Sequence, residues 1–438
     1  MRQAGCIFLI LLGLALTAQA APPHPPVPPA AQASAVFDAD AATNAWLATV
    51  PPAARTKSDA YFQGGYWLML WNFLYLVVVM ILLLETGWSA KMRAVSESLA
   101  RSRILQSFLY WAQFAIATFF LMFPLQVYQD FFREHAYGLS NQNFSSWFQD
   151  QMIGLGVAVV LGGIAFAIVV WIVRSLPRTW HWWGAAFAVA FSAFTTAIAP
   201  VFLFPLFNKY TPLPDTSLKR QILSLARANG IPATDVYENN ASRQSKRVSA
   251  NVSGLFGTER ITLNDNLLNR CSPEAVLSVM GHEMGHYVMH HILNGILFAV
   301  IFFFVSFGIL RWMLDAALLR LGARWRVRGP ADTALLPAAV LILAVISFVI
   351  TPISNSFTRA QEYEADIFGL NAARQPDGEA EVDLLLGEYR KLDPGSIEEA
   401  LFFDHPSGRT RIHAAMRWKA ENLCLFDPKL ACHGLAQP

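Results

Sequence analysis

Six stretches of this chain are long enough to cross a bilayer as helix and contain no Lys, Arg, Asp or Glu: 66–84, 105–127, 153–173, 182–204, 292–310 and 335–353. A helical span needs about 20 consecutive apolar residues. A buried helix of a soluble protein could imitate one such run, but hardly six. Tyr66, Trp67, Tyr128, Trp171 and Trp182 stand at run ends, where amphipathic rings anchor at the membrane interface. Composition agrees: 15% of residues are charged and 54% hydrophobic, against about 25% charged in a soluble domain. The net charge of +2 is too mild to indicate a nucleic-acid partner. The expected fold is mostly α, a polytopic membrane protein with about six transmembrane helices.

Residues 1–20 have a basic start, an apolar core and the triplet Ala18-Gln19-Ala20, the pattern of a signal peptide; retention of this stretch as a first anchor is the alternative. A Pro/Ala-rich exported segment follows at 21–65, its prolines at 21–35 favouring an extended, unpacked chain. Four spans then occupy 66–204 and two more 292–353. Residues 205–291 and 354–438 are expected to form two halves of one extramembrane domain. Basic residues in short loops mark the cytoplasmic side. Lys91, Arg93, Arg101 and Arg103, then Arg174 and Arg178, then Arg311, Arg320, Arg324, Arg326 and Arg328 all fall on one side by alternation. The extramembrane domain therefore faces away from the cytoplasm. Cys424 and Cys432 are near enough in sequence to bridge in an oxidising space, although pairing is open.

The sharpest chemical signal is His282-Glu283-Met284-Gly285-His286. The helix carrying it starts well, with Ser272 as cap and Pro273 at the first position. On a helix His282 and His286 share a face and can bind one metal, leaving Glu283 beside the open position as general base. Met289 and Ile292 stand where a metzincin would have Gly and His, which excludes that class. A carboxylate from a later helix is then needed. Arg359-Ala360-Gln361-Glu362-Tyr363-Glu364-Ala365-Asp366 offers Glu362 as ligand; Glu364 faces away from it at helical pitch. Asp366, one turn on, can accept the free N–H of a ligating His. One Zn2+ per chain is expected, with a fourth position for water.

These segments resemble those of the type I CAAX prenyl endopeptidase family of membrane zinc proteases. Glu134 to Gln142 is similar to the family's E-x-x-x-G-x-x-x-Q loop, and Ala199-Pro200 through Phe207-Asn208-Lys209-Tyr210-Thr211-Pro212-Leu213 to its A-P-x-F-x-K-F-T-P-L stretch. The zinc helix and Arg359–Asp366 complete the resemblance across most of the chain. It implies a gluzincin-like zinc domain with a small β-hairpin or sheet. It also implies an active-site role for His405, in His405-Pro406-Ser407 followed by Arg411, where oxyanion stabilisation and a plain helix cap are both open. Arg411 either positions that segment or pairs with Asp366. Asn251 matches a family position on an edge strand that pairs with extended substrate, within a hairpin read over 248–263. His291 also matches a family position but reads as a helix-face residue.

Eukaryotic family members have seven spans and a cytosol-facing site, so this chain departs from them in its first segment and its orientation. The expected activity is that of a zinc metalloendopeptidase hydrolysing membrane-associated or exported proteins, CAAX-type processing being what the resemblance implies. Its partners are a protein or peptide substrate and the lipid bilayer, in a bacterial inner membrane with the zinc domain facing the periplasm. The competing reading is a membrane scaffold or binding protein with a structural zinc, which a closed four-ligand site would favour.

Overall fold

The structure, a computed structural model, describes residues 25–253 and 260–430. The expected signal peptide, residues 254–259 of the expected hairpin and Cys432 lie outside the described residues. Cys424 itself is one half of a disulfide.

The first helix, α1 (Ala39–Ala48), is capped by Asp38, whose side chain accepts from the backbone N–H groups of Asp40 and Ala41. It is followed by α2 (Pro52–Glu85), α3 (Trp88–Leu99) and α4 (Arg103–Val127). A π-helical turn over Tyr128–Arg133 leads into the single turn α5 (Glu134–Ala136), and α6 (Phe144–Ser175) and α7 (Trp180–Ile198) follow. The protein is a multi-pass membrane protein: six helices, Pro52–Glu85, Arg103–Ala136, Phe144–Ser175, Trp180–Leu206, His291–Leu321 and Thr333–Ala373, are long and apolar enough to span.

Between the fourth and fifth spans lies a small α/β layer. It holds α8 (Ser217–Ala228), α9 (Asp265–Arg270) and α10 (Pro273–Val288) with a four-stranded sheet. Strands β1 (Tyr210–Pro212), β2 (Val236–Asn239), β3 (Ala250–Ser253) and β4 (Arg260–Asn264) lie in the order β1-β2-β4-β3. The β3–β4 pair is antiparallel, with Asn251 opposite Thr262, whereas β2 and β4 run parallel. One core of this layer gathers Ile222, Val236, Ile261, Leu263, Leu267, Met280 and Met284.

After α11 (His291–Leu321), α12 (Leu336–Ala373) runs as one uninterrupted helix from the membrane into the extramembrane layer, with Pro352 inside it. Helices α13 (Pro376–Leu386), α14 (Ser396–Phe402) and α15 (Gly408–Glu421) follow. The expectation of an unpacked Pro/Ala tether is corrected. Ala31 is fully buried with Trp46, Leu47, Ile412 and Met416, and the Lys419 ammonium donates to its carbonyl at 2.6 Å. A buried ammonium requires such acceptors, so the tether is held down by what it satisfies.

Candidate metal centre

Helices α10 and α12 cross at glycines. A Cβ placed on Gly369 would lie 2.8 Å from the His282 nitrogen, and one on Gly281 would lie 3.0 Å from the Gly369 carbonyl oxygen. No larger residue permits that approach. It sets the face of α10 bearing His282 and His286 directly against Glu362. Ser272 caps α10, its Oγ accepting from the Ala275 N–H at 3.1 Å.

The Nε2 atoms of His282 and His286 are 3.1 Å apart. Glu362 brings Oε2 to 3.2 Å from the first and Oε1 to 3.5 Å from the second. One ligand atom from each of the three residues fits within a 4.8 Å span, so two imidazoles and a carboxylate converge on one point. Such a set suits a borderline-soft divalent ion such as zinc. Glu283 lines the adjoining pocket of about 190 Å3, where burial pushes its carboxyl above the usual range.

Each imidazole is held from behind. The His282 Nδ1–H donates to Asp366 at 2.7 Å. Arg411 clamps Asp366 through Nε at 2.9 Å and Nη2 at 2.5 Å, and reaches Glu379 at 3.1 Å and Asp383 at 2.9 Å. Of the two roles open for Arg411, the structure therefore shows the pairing with Asp366. Burial raises the Asp383 carboxyl well above its ordinary range despite the Arg411 charge. His291, at the start of α11, is buried and is not one of the three converging residues. Its Nδ1 lies 2.8 Å from Nδ1 of His286 and its Nε2 lies 3.3 Å from Glu364. Glu364 thus stays off the three-residue cluster and acts behind His286.

His405 is half-buried across the pocket, Nε2 at 3.3 Å from Glu362 and Nδ1 at 2.8 Å from Asp404. The helix-cap duty falls instead to Ser407, whose Oγ accepts from the Thr410 N–H at 3.3 Å. Strand β3 is the sheet edge beside α10, and Val248, Ser249 and Ala250 line the pocket. Asn251 is on that strand with a buried Oδ1 that has no hydrogen-bond partner among the described residues.

Sequence reasoning missed Glu379, Asp383, Asp404 and the His291–Glu364 pair. Glu379 and Asp383, four apart on one helix face, were a readable signal; their common partner 28 residues further on was not.

Residues 40–209 match the family model "CAAX prenyl protease N-terminal, five membrane helices", and residues 212–419 match the model "Peptidase family M48". An uncharacterised metalloprotease of Bacillus subtilis, YhfN, is 29% identical over 377 residues, covering 83% of this chain and 87% of that protein. CAAX prenyl protease 1 of Saccharomyces cerevisiae is 30% identical over 183 residues, 42% of this chain and 40% of its own length. The crystal structure of S. mikatae Ste24p shares the fold, with a TM-score of 0.69 at 21% identity over 84% of this chain and 89% of that one.

Proposed function

The chain belongs to the M48 peptidases and is a membrane metallopeptidase; from that premise we propose that it is a zinc-dependent endopeptidase whose site lies on the extracytoplasmic side of a bacterial inner membrane. The observation that carries this reading is the convergence of His282, His286 and Glu362 on one point beside Glu283. Three ligands leave an open position, as a catalytic rather than a structural zinc requires.

An extended peptide adds to the β3 edge by backbone hydrogen bonds, its side chain entering the pocket walled by Val248, Leu267, Val279, Val382 and Leu386. When bound, zinc supplies the Lewis acidity that activates water and polarises the scissile carbonyl. Glu283 takes the proton of the attacking water and delivers it to the leaving amine, a task suited to a carboxyl raised by burial. His405, turned by Asp404, presents Nε2 to the charge developing on the carbonyl oxygen. Asp366 and Arg411 hold the His282 ring in one tautomer and orientation.

Orientation rests on the basic loops. They meet at one end of the molecule, where Arg93 pairs with Asp332, Arg328 with Glu97, and Arg311 donates to the Arg178 carbonyl. That end is cytoplasmic by the charge rule. Its substrates are then membrane-associated or exported proteins; the CAAX processing named for the yeast relative is a narrower possibility within this class.

The test is comparative proteomics of new protein N-termini in membrane and exported fractions of cells carrying the native protein or Glu283→Gln, with zinc measured on both purified proteins. The expected result is one zinc per chain in each and cleavage products only with the native protein. Identical N-termini with zinc intact would favour a scaffold.

A further inference from the structure

At the end opposite the metal centre lies a second pocket, of about 300 Å3, lined by residues of α3 and α6 and by the 328–333 loop. Three guanidiniums line it, those of Arg93, Arg174 and Arg328, against two carboxylates, Glu97 and Asp332. Arg328 is spent on Glu97, at 2.7 and 3.1 Å. Arg93 is 9% exposed and uses Nη1 on Asp332 and on the Arg326 carbonyl, yet its Nε is buried with no partner among the described residues. Arg174 makes one long hydrogen bond, 3.4 Å to the Arg103 carbonyl, and pairs with no carboxylate among the described residues. Arg174 thus retains unused donors at this polar pocket, and Arg93, which also lines it, keeps one buried donor without a partner among the described residues, a costly arrangement.

Pro330 to Thr333 line both this pocket and an apolar groove of about 350 Å3. Trp111, Phe166, Val170, Val173, Phe307 and Leu310 wall it, on helices that cross the bilayer. A cationic pocket that shares its 330–333 segment with an apolar groove at a membrane boundary is complementary to one ligand class: a headgroup phosphate carrying acyl chains. Basic pockets between spans on the cytoplasmic side have this preference.

We propose that this cleft binds an anionic phospholipid, its phosphate at Arg174 and Arg93 and one acyl chain in the groove between α6 and α11. The phosphate oxygens accept from the donors Arg174 leaves unused, beside the positive charge of Arg93, and the chain covers the walls of the groove.

The test uses the purified full-length protein in mild detergent. Dioleoylphosphatidylglycerol is expected to raise Tm by several degrees and to persist as one bound lipid in native mass spectrometry. Dioleoylphosphatidylcholine should do neither. Arg174→Gln should weaken phosphatidylglycerol binding by about tenfold or more, the value of a charge-assisted hydrogen bond, and Arg174→Lys should recover part of it. Ala165→Phe, which fills the groove, should reduce retention while leaving the zinc content unchanged, which separates a blocked groove from a misfolded protein. Equal stabilisation by phosphatidylcholine, an unaltered response in Arg174→Gln, or a full Tm shift from inorganic phosphate alone would each overturn the proposal.

Discussion

Each end of this protein buries an arginine, and the two are satisfied differently. Arg411, behind the metal centre, spends its donors on three carboxylates, those of Asp366, Glu379 and Asp383. Arg93, at the basic end, has one carboxylate and an orphaned Nε. The carboxylates differ as well. Asp332 also accepts from the N–H groups of Arg328 and Ala334, at 2.8 and 3.0 Å, so it keeps partners if Arg93 is lost. Asp366 and Asp383 have no backbone N–H in comparable reach among the hydrogen bonds described. Arg411 directs its donors to carboxylates and fixes geometry, although Asp383 keeps a buried Oδ2 without a hydrogen-bond partner among the described residues. Beside Arg93, Arg174 pairs with no carboxylate among the described residues and is open to a ligand from outside.

The largest effect that bears on this contrast is on turnover. Glu283→Gln should retain zinc and Tm while peptide hydrolysis falls by about 10²–10⁴-fold, the usual worth of a general base. Appreciable hydrolysis by the zinc-loaded variant would remove the chemistry from the Arg411 end altogether. Next comes Arg411→Gln, which leaves buried carboxylates uncompensated. It should cost about 3–5 kcal/mol of stability and weaken zinc affinity by about 10–100-fold through the released His282 ring, read by denaturant titration and chelator competition. Arg93→Gln should cost less, about 1–3 kcal/mol, with zinc affinity unchanged. Equal costs for the two arginine variants would break the comparison.

The smallest effect sharpens it. Burial raises the Asp383 carboxyl, so the folded protein keeps a proton that the unfolded chain releases above about pH 4. That linkage drains stability as pH climbs from the unfolded value towards the folded one. Asp383→Asn has no such proton to release, so its stability relative to the native protein should rise across that window, staying within about 1 kcal/mol at the lower edge. A pH-independent difference would mean that Asp383 is ionised beside Arg411.

The sequence made the membrane architecture legible because each span is a local run, and the metal cluster legible because His282, Glu283 and His286 share a helix and Glu362 with Asp366 another. What stayed hidden joins distant segments. Strands β1 and β2 are 3 and 4 residues long, too short to show an alternating pattern. The His286–His291 contact is local but depends on His290 adopting a left-handed conformation, with φ 57°, which periodicity does not reveal. Asp404 adjoins His405 in the chain yet has meaning only once His405 is seen to face Glu362. The orphaned Nε of Arg93 depends on surroundings that include Arg326 and Asp332, 233 and 239 residues away in the chain.

Helix α12 begins at the rim of the apolar groove and carries Glu362 and Asp366 near its far end. Its 38 residues make a rod of roughly 57 Å at 1.5 Å per residue. The height of Glu362 above the membrane is therefore set by how the apolar part of that rod sits in the lipid. His282 and His286 ride on α10, which has no span of its own. A bilayer thinner or thicker than the rod's apolar length tilts or shifts it, with Pro352 as the point of least resistance. Membrane thickness thus becomes a setting of the protein, acting on the meeting of one carboxylate with two imidazoles.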